Sequence, residues 1–144
     1  MKPIERLIVD LDSGPWAALY RAAVGFAIPP TFRALSGGHD AIWLTSVLFL
    51  GLLVAMRVAP TVLRYALPFS AEAKAIWAAR RGLSKEHDCY AWQKLFWIGL
   101  GVVLFGAIGG GLRSGELAVA LFCLIGGGAG WLIWLGTRAV RPAQ

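Results

Sequence analysis

Three stretches of this 144-residue chain, 41–56, 95–112 and 117–137, hold no Asp, Glu, Lys or Arg. Uncharged apolar runs of about 18 residues and upward match the thickness of a bilayer and exceed what a soluble core helix sustains. Composition agrees: 58% of the residues are apolar, 15% are charged and mean hydropathy is +0.64. A soluble domain sits nearer roughly half apolar and a quarter charged. The length fits one domain, with no room for a catalytic domain beside a separate anchor. The reading is an all-α polytopic integral membrane protein.

Its single membrane domain divides by charge and breakers. Span 1 covers 41–63, a cytoplasmic loop with amphipathic helices covers 64–94, and spans 2 and 3 cover 95–112 and 117–137. Residues 1–40 form an N-terminal interfacial segment. Within it, Ile4, Leu7, Ile8 and Leu11 recur at helical spacing among Glu5, Arg6, Asp10 and Asp12, which predicts a short amphipathic helix on the lipid interface or a partner helix. Those charges are also wrong for the apolar core of a signal peptide, so this segment is expected to persist. Ser13-Gly14-Pro15 reads as a helix restart, and Pro29-Pro30 is expected to stop the helix that follows. Thirteen helical residues reach only about 20 Å, so 15–32 is expected to lie in the interface or re-enter, with a fourth crossing as the alternative.

In the loop, Ser70 is the expected cap of a helix over 71–81, with Glu72 in its first turn and Arg80 and Arg81 in its last. Ser84 is expected to cap a second helix that continues without a break into span 2. Arg113 to Glu116 is the expected turn into span 3, which makes spans 2 and 3 an antiparallel hairpin. Trp43, Tyr90, Trp92, Trp97, Trp131 and Trp134 fall where spans would cross the interface and are the expected anchors. Arg21 and Arg57 are close enough to apolar ends to snorkel.

Charge placement orients the chain. The net charge is +6, yet the basic residues flank apolar runs, so the excess needs no nucleic acid as partner. With three spans, the central loop and C-terminal tail hold nine basic residues against five on the other side. With a fourth crossing at 15–32 the split becomes eleven to two. Both place the central loop and C-terminus in the cytoplasm, in a membrane of the bacterial inner type; only the side of the N-terminus differs.

Chemistry of the chain's own is hard to find. Glu86-His87-Asp88-Cys89 is the densest polar run, but consecutive helical positions diverge by about 100°, and position 91, one turn after His87, is Ala. Acids at a helix start explain the run without a metal. His39-Asp40 lies across the membrane from it. No serine stands in a Gly-x-Ser-x-Gly frame, and the glycine runs 109–111 and 126–128 lack the strand and Lys-Ser/Thr of a phosphate loop. The cysteines, Cys89 and Cys123, fall at a charged surface and within a span, too far apart in environment to pair. No catalytic or metal-binding residue is assigned, the chain is not expected to be an enzyme, and no cofactor is identified, although the seven tryptophans could stack on a pigment or quinone.

Glycines carry more. Gly99, Gly106 and Gly110 fall on one side of span 2, and Gly126 and Gly130 repeat the four-residue interval in span 3. Small residues at that spacing let helices approach closely, within the hairpin or against a partner. The expected function is therefore that of a non-catalytic accessory or structural subunit packing against a larger membrane protein complex. The alternative is a homo-oligomeric channel or small transporter built on the same faces, with membrane lipid as the common surround.

Overall fold

A computed structural model describes residues 1–39, 41–86 and 89–140, with side chains except at 84–86, 89–90 and 138–140. Among the described residues the chain is all helix: α1 (Pro3–Ser13), α2 (Ala17–Leu35), α3 (Ile42–Ala66), α4 (Ala71–Glu86), α5 (Cys89–Ile108), α6 (Ser114–Leu121) and α7 (Gly127–Val140), with a π-helical turn at Phe122–Gly126 joining the last two. Three stretches are long and apolar enough to span a membrane: Ile42–Ala66, Ala91–Ile108 and Ser114–Thr137. They are the three expected from charge.

α5 is the central helix, and its nearest neighbour is α2. A Cβ added at Gly25 would land on the carbonyl oxygen of Ile98, and one at Gly101 on that of Ala22. Phe26 meets Phe105 edge-on at 5.4 Å, and Arg33 stands over the same Phe105 ring. Arg21 and Lys94 line one cavity at the starts of the two helices while Arg33 and Phe105 meet near their ends, so α2 and α5 run parallel. Ile28, Phe32, Phe49, Ile98, Val102, Val119, Ala120 and Cys123 close the core between α2, α3, α5 and the last span.

Several expectations change here. The helix does not stop at Pro29-Pro30 but continues to Leu35. Neighbouring helices hold such a segment in place of the lost backbone bonds; Ile28, Pro29 and Phe32 are buried against them, and Arg33 is tied to α6. α2 therefore lies beside α5 along its length; it is not among the three stretches long and apolar enough to span a membrane. Pro15 is not the first helical residue; α2 starts at Ala17, and Ser13 closes α1 by donating to the Val9 carbonyl. Ser84 lies inside α4, which runs on to Glu86 because no proline interrupts Ala71–Glu86. Ser70 does cap it, accepting the Ala73 N–H at 3.3 Å. Glu116 belongs to the first turn of α6 and not to the connection, which is 109–113 with Gly110 and Gly111 at φ +83° and +109°.

The bed of α1 is α4. Asp10 pairs with Arg80 at 2.7 Å, Asp12 with Arg81 at 3.1 Å, and Glu5 accepts the backbone N–H and hydroxyl of Ser70 at 2.9 and 3.0 Å. Arg80 and Arg81 are thus mid-helix partners of α1 more than dipole counter-charges. Ile4 and Leu7 stay exposed on the outer side of α1, where an interfacial helix meets lipid.

Glu5 gives this docking a pH dependence. The N–H groups of Lys2 and then Ser70, with the Ser70 hydroxyl and the terminal amine, hold its carboxyl below the usual carboxylate range against the opposing effect of burial. A depressed folded-state pKa stabilises above the unfolded value of about 4.3 and loses that contribution as pH falls through the folded value. Hydrogen-exchange protection of α1, normalised for intrinsic rate, should be flat from pH 7 to 5 and fall in stronger acid. In Glu5→Gln that acid step should shrink; a wild-type step centred near neutrality would contradict the assignment.

Candidate functional site

The glycines of the expected packing faces divide once their neighbours are known. Gly99 sits against Cys123 and Leu124, Gly106 against the Leu112 side chain, and Gly130 against the Trp92 indole. Gly110 is a turn residue in left-handed backbone. Gly126 alone of the five helical-interval glycines meets no heavy atom within 4 Å while lying inside a span. The π turn explains the split between Gly126 and Gly130. It takes an extra residue to come round, so Gly127 and Gly130 meet Phe96 and Trp92 of α5 while Gly126 faces outward. The two closest contacts, Gly25 and Gly101, are not in the expected set.

Gly126 floors an outward groove of about 660 Å³, lined also by Gly130 and by Ala91, Trp92, Ile133, Trp134 and Thr137. Trp92 and Trp134 are therefore groove walls as well as expected anchors. Trp97 and Trp131 both stack edgewise on Phe96, at 5.9 and 5.8 Å. Trp43 projects at the opposite end, 69% exposed at the start of α3. Tyr90 and the Glu86–Cys89 run lie outside the residues whose side chains are described. Cys123 is free and buried.

A second site lies where α1 and α4 cover the ends of α2, α3 and α5. Two cavities of about 380 and 440 Å³ adjoin there and share Lys94. Arg57, Arg81 and Lys94 line the first, with Leu53, Thr61 and Leu95. The second is mostly apolar, lined by Ile8, Leu11, Met56, Ala59, Leu63 and Trp77, with Asp12, Tyr20 and Arg21 at its polar edge. Sequence alone sets these residues on five separate segments.

Asp12 organises the polar part. Its carboxylate accepts the Trp77 indole N–H at 2.7 Å and pairs with Arg81, and its backbone carbonyl accepts from Arg21 at 3.0 Å. Arg21 is 5% exposed, so it does not snorkel to water; α1 supplies the acceptor it would otherwise seek there. Arg57 is exposed and Lys94 half-buried. Counting Arg21, Arg57, Arg81 and Lys94 against Asp12, four cations less one carboxylate leave an excess of three positive charges.

At the opposite end a guanidinium and a carboxylate are paired directly. Arg33 on α2 grips Glu116 through Nε and a terminal nitrogen, each at 2.7 Å, and Glu116 also accepts the Arg113 N–H at 2.9 Å. Arg33 reaches the Gly111 carbonyl and Arg113 the Gly38 carbonyl, so the two short connections are tied together. Compared with protein-family models, curated proteins and solved structures, the chain finds no match.

Proposed function

We propose that this chain is a non-catalytic accessory or structural subunit of a larger membrane protein complex. The observation that carries the reading is the outward groove floored by Gly126 between Trp92 and Trp134. A floor without side chains, inside a span, admits the backbone of another helix, and close packing is what drives helix association in lipid. The occupant is a transmembrane helix of a different subunit. The membrane is of the bacterial inner type, and the end that carries α1, α4 and the C-terminus faces the cytoplasm. Among the described residues that end holds ten basic residues besides the buried Arg21, against Arg33 and Arg113 at the other.

Gly126→Leu tests the groove without touching the chain's own packing, since nothing lies within 4 Å of the added carbon. The variant should insert and stay monodisperse but lose at least tenfold of the subunit that co-purifies after gentle extraction. Gly106→Leu is the wrong probe, because it strikes Leu112 of the same chain. Equal recovery of the partner with Gly126→Leu would end the proposal. Native-mass analysis showing only copies of this chain would replace it with the homo-oligomeric channel or small transporter.

A further inference from the structure

We propose that the cavity under α1 binds an anionic phosphate-headed lipid. Its phosphate sits among Arg57, Arg81 and Lys94, and its chain lies in the apolar lobe beside Ile8, Leu11 and Met56.

Depth is the first argument. From Lys94 to Ile108 on α5, and from Arg57 back to Ile42 on α3, the helices carry no charge. At 1.5 Å per residue these uncharged lengths are about 21 and 22 Å, against a hydrocarbon core of about 30 Å. With the opposite ends placed at their interface, Lys94 and Arg57 lie several Å inside the hydrocarbon level of their own leaflet. Cations there need a counter-charge, water or a local thinning of the bilayer. Among the described residues neither Arg57 nor Lys94 has an ion pair or hydrogen bond, and the one carboxylate nearby, Asp12, is engaged by Arg81 and Trp77. A lipid phosphate reaches that depth and supplies the missing charge.

The shape is the second argument. The lobe of about 440 Å³ joins the cationic lobe at Lys94, so head and chain of one amphiphile have adjoining places. Its size falls within the range of ligand sites, which are mostly apolar with a few fixed polar groups. Basic pockets between spanning helices suit anionic head groups, and guanidinium forks match phosphate oxygens in geometry as well as charge. A zwitterionic lipid would bring its own ammonium into a cluster that already carries an excess of three positive charges. The site is independent of the groove on the last span.

The experiment uses the purified full chain, delipidated in mild detergent and returned to phosphatidylglycerol, to phosphatidylcholine, or to millimolar inorganic phosphate. Native mass spectrometry should retain one phosphatidylglycerol per chain, with little phosphatidylcholine retained at the same concentration. Inorganic phosphate should neither form a persistent adduct nor displace the lipid. Arg57→Gln, at an exposed position, should weaken retention about fivefold, the loss expected for one basic residue at an anionic surface. Lys94→Gln should add a similar factor, and Arg64→Gln, outside both cavities on the same helix, should change nothing. Equal retention of phosphatidylcholine, displacement by free phosphate, or the same loss in Arg64→Gln as in Arg57→Gln would each overturn the site. If Lys94→Gln fails to fold, the Arg57 and Arg64 pair decides alone.

Discussion

Gly25→Leu is expected to separate α2 from α5 and to leave little folded protein. The added Cβ lands on the Ile98 carbonyl oxygen, with the carbonyl carbon at 2.8 Å and Cα at 3.0 Å behind it. All three are backbone atoms of a spanning helix, so no side-chain rotamer can relieve the collision. Overpacking a well-filled interior costs about 1–3 kcal/mol where side chains can move; here the whole of α2 must retreat, and a loss of about 3 kcal/mol or more is expected. Gly101→Leu should match it from the other side, since its Cβ meets the Ala22 carbonyl. Gly51→Leu on α3, where nothing lies within 4 Å, should stay within about 0.5 kcal/mol of the parent. Denaturation in mixed detergents, followed by tryptophan fluorescence, ranks the three. A Gly25→Leu protein as stable as Gly51→Leu would mean that α2 does not lie on α5.

That contact also marks where sequence reading runs out. The three spans are visible because absence of charge over a bilayer's thickness is a local property, and so is the break at Gly109-Gly110-Gly111. α2 is different. Its Arg21, Arg33 and two prolines each argue against a long helix packed along a span when taken alone. The groups that reconcile them, the Asp12 carbonyl, Glu116 and the bare backbone at Gly101, are contributed by α1, α6 and α5. A hydropathy window sees only the cost. The cationic cavity is hidden for the same reason: Arg21 and Arg57 look like end residues free to snorkel, and Arg81 like a helix-dipole partner. One signal was available. Lys94 and Arg57 both stand a turn or more inside their helices at the same end, which lines up two cations at one depth. The π turn has no counterpart in composition, and without it Gly126 and Gly130 read as one face.

Arg33→Ala is expected to cost more than Glu116→Gln, although the two remove the same ion pair. The asymmetry follows from burial. Glu116 is 3% exposed and Arg33 29%, so losing Arg33 strands a buried carboxylate whose remaining donors include the Arg113 N–H. Neutralising Glu116 leaves a guanidinium that water and the Gly111 carbonyl can still serve. Removing one partner of a fully buried pair costs about 3–5 kcal/mol. Arg33→Ala should fall at the lower end of that range, and Glu116→Gln nearer 1–2 kcal/mol. The double change Arg33→Leu with Glu116→Leu should recover much of the loss, because an apolar pair of similar volume suits a buried site as well as a salt bridge does. A thermodynamic cycle over the parent, Arg33→Leu, Glu116→Leu and their double variant measures the coupling. Strict additivity would show that the clamp does not hold the two connections together. Strong coupling would fit a bundle whose charges are settled internally at the Arg33 end, which leaves the Lys94 end as the one where an outside anion has something to gain.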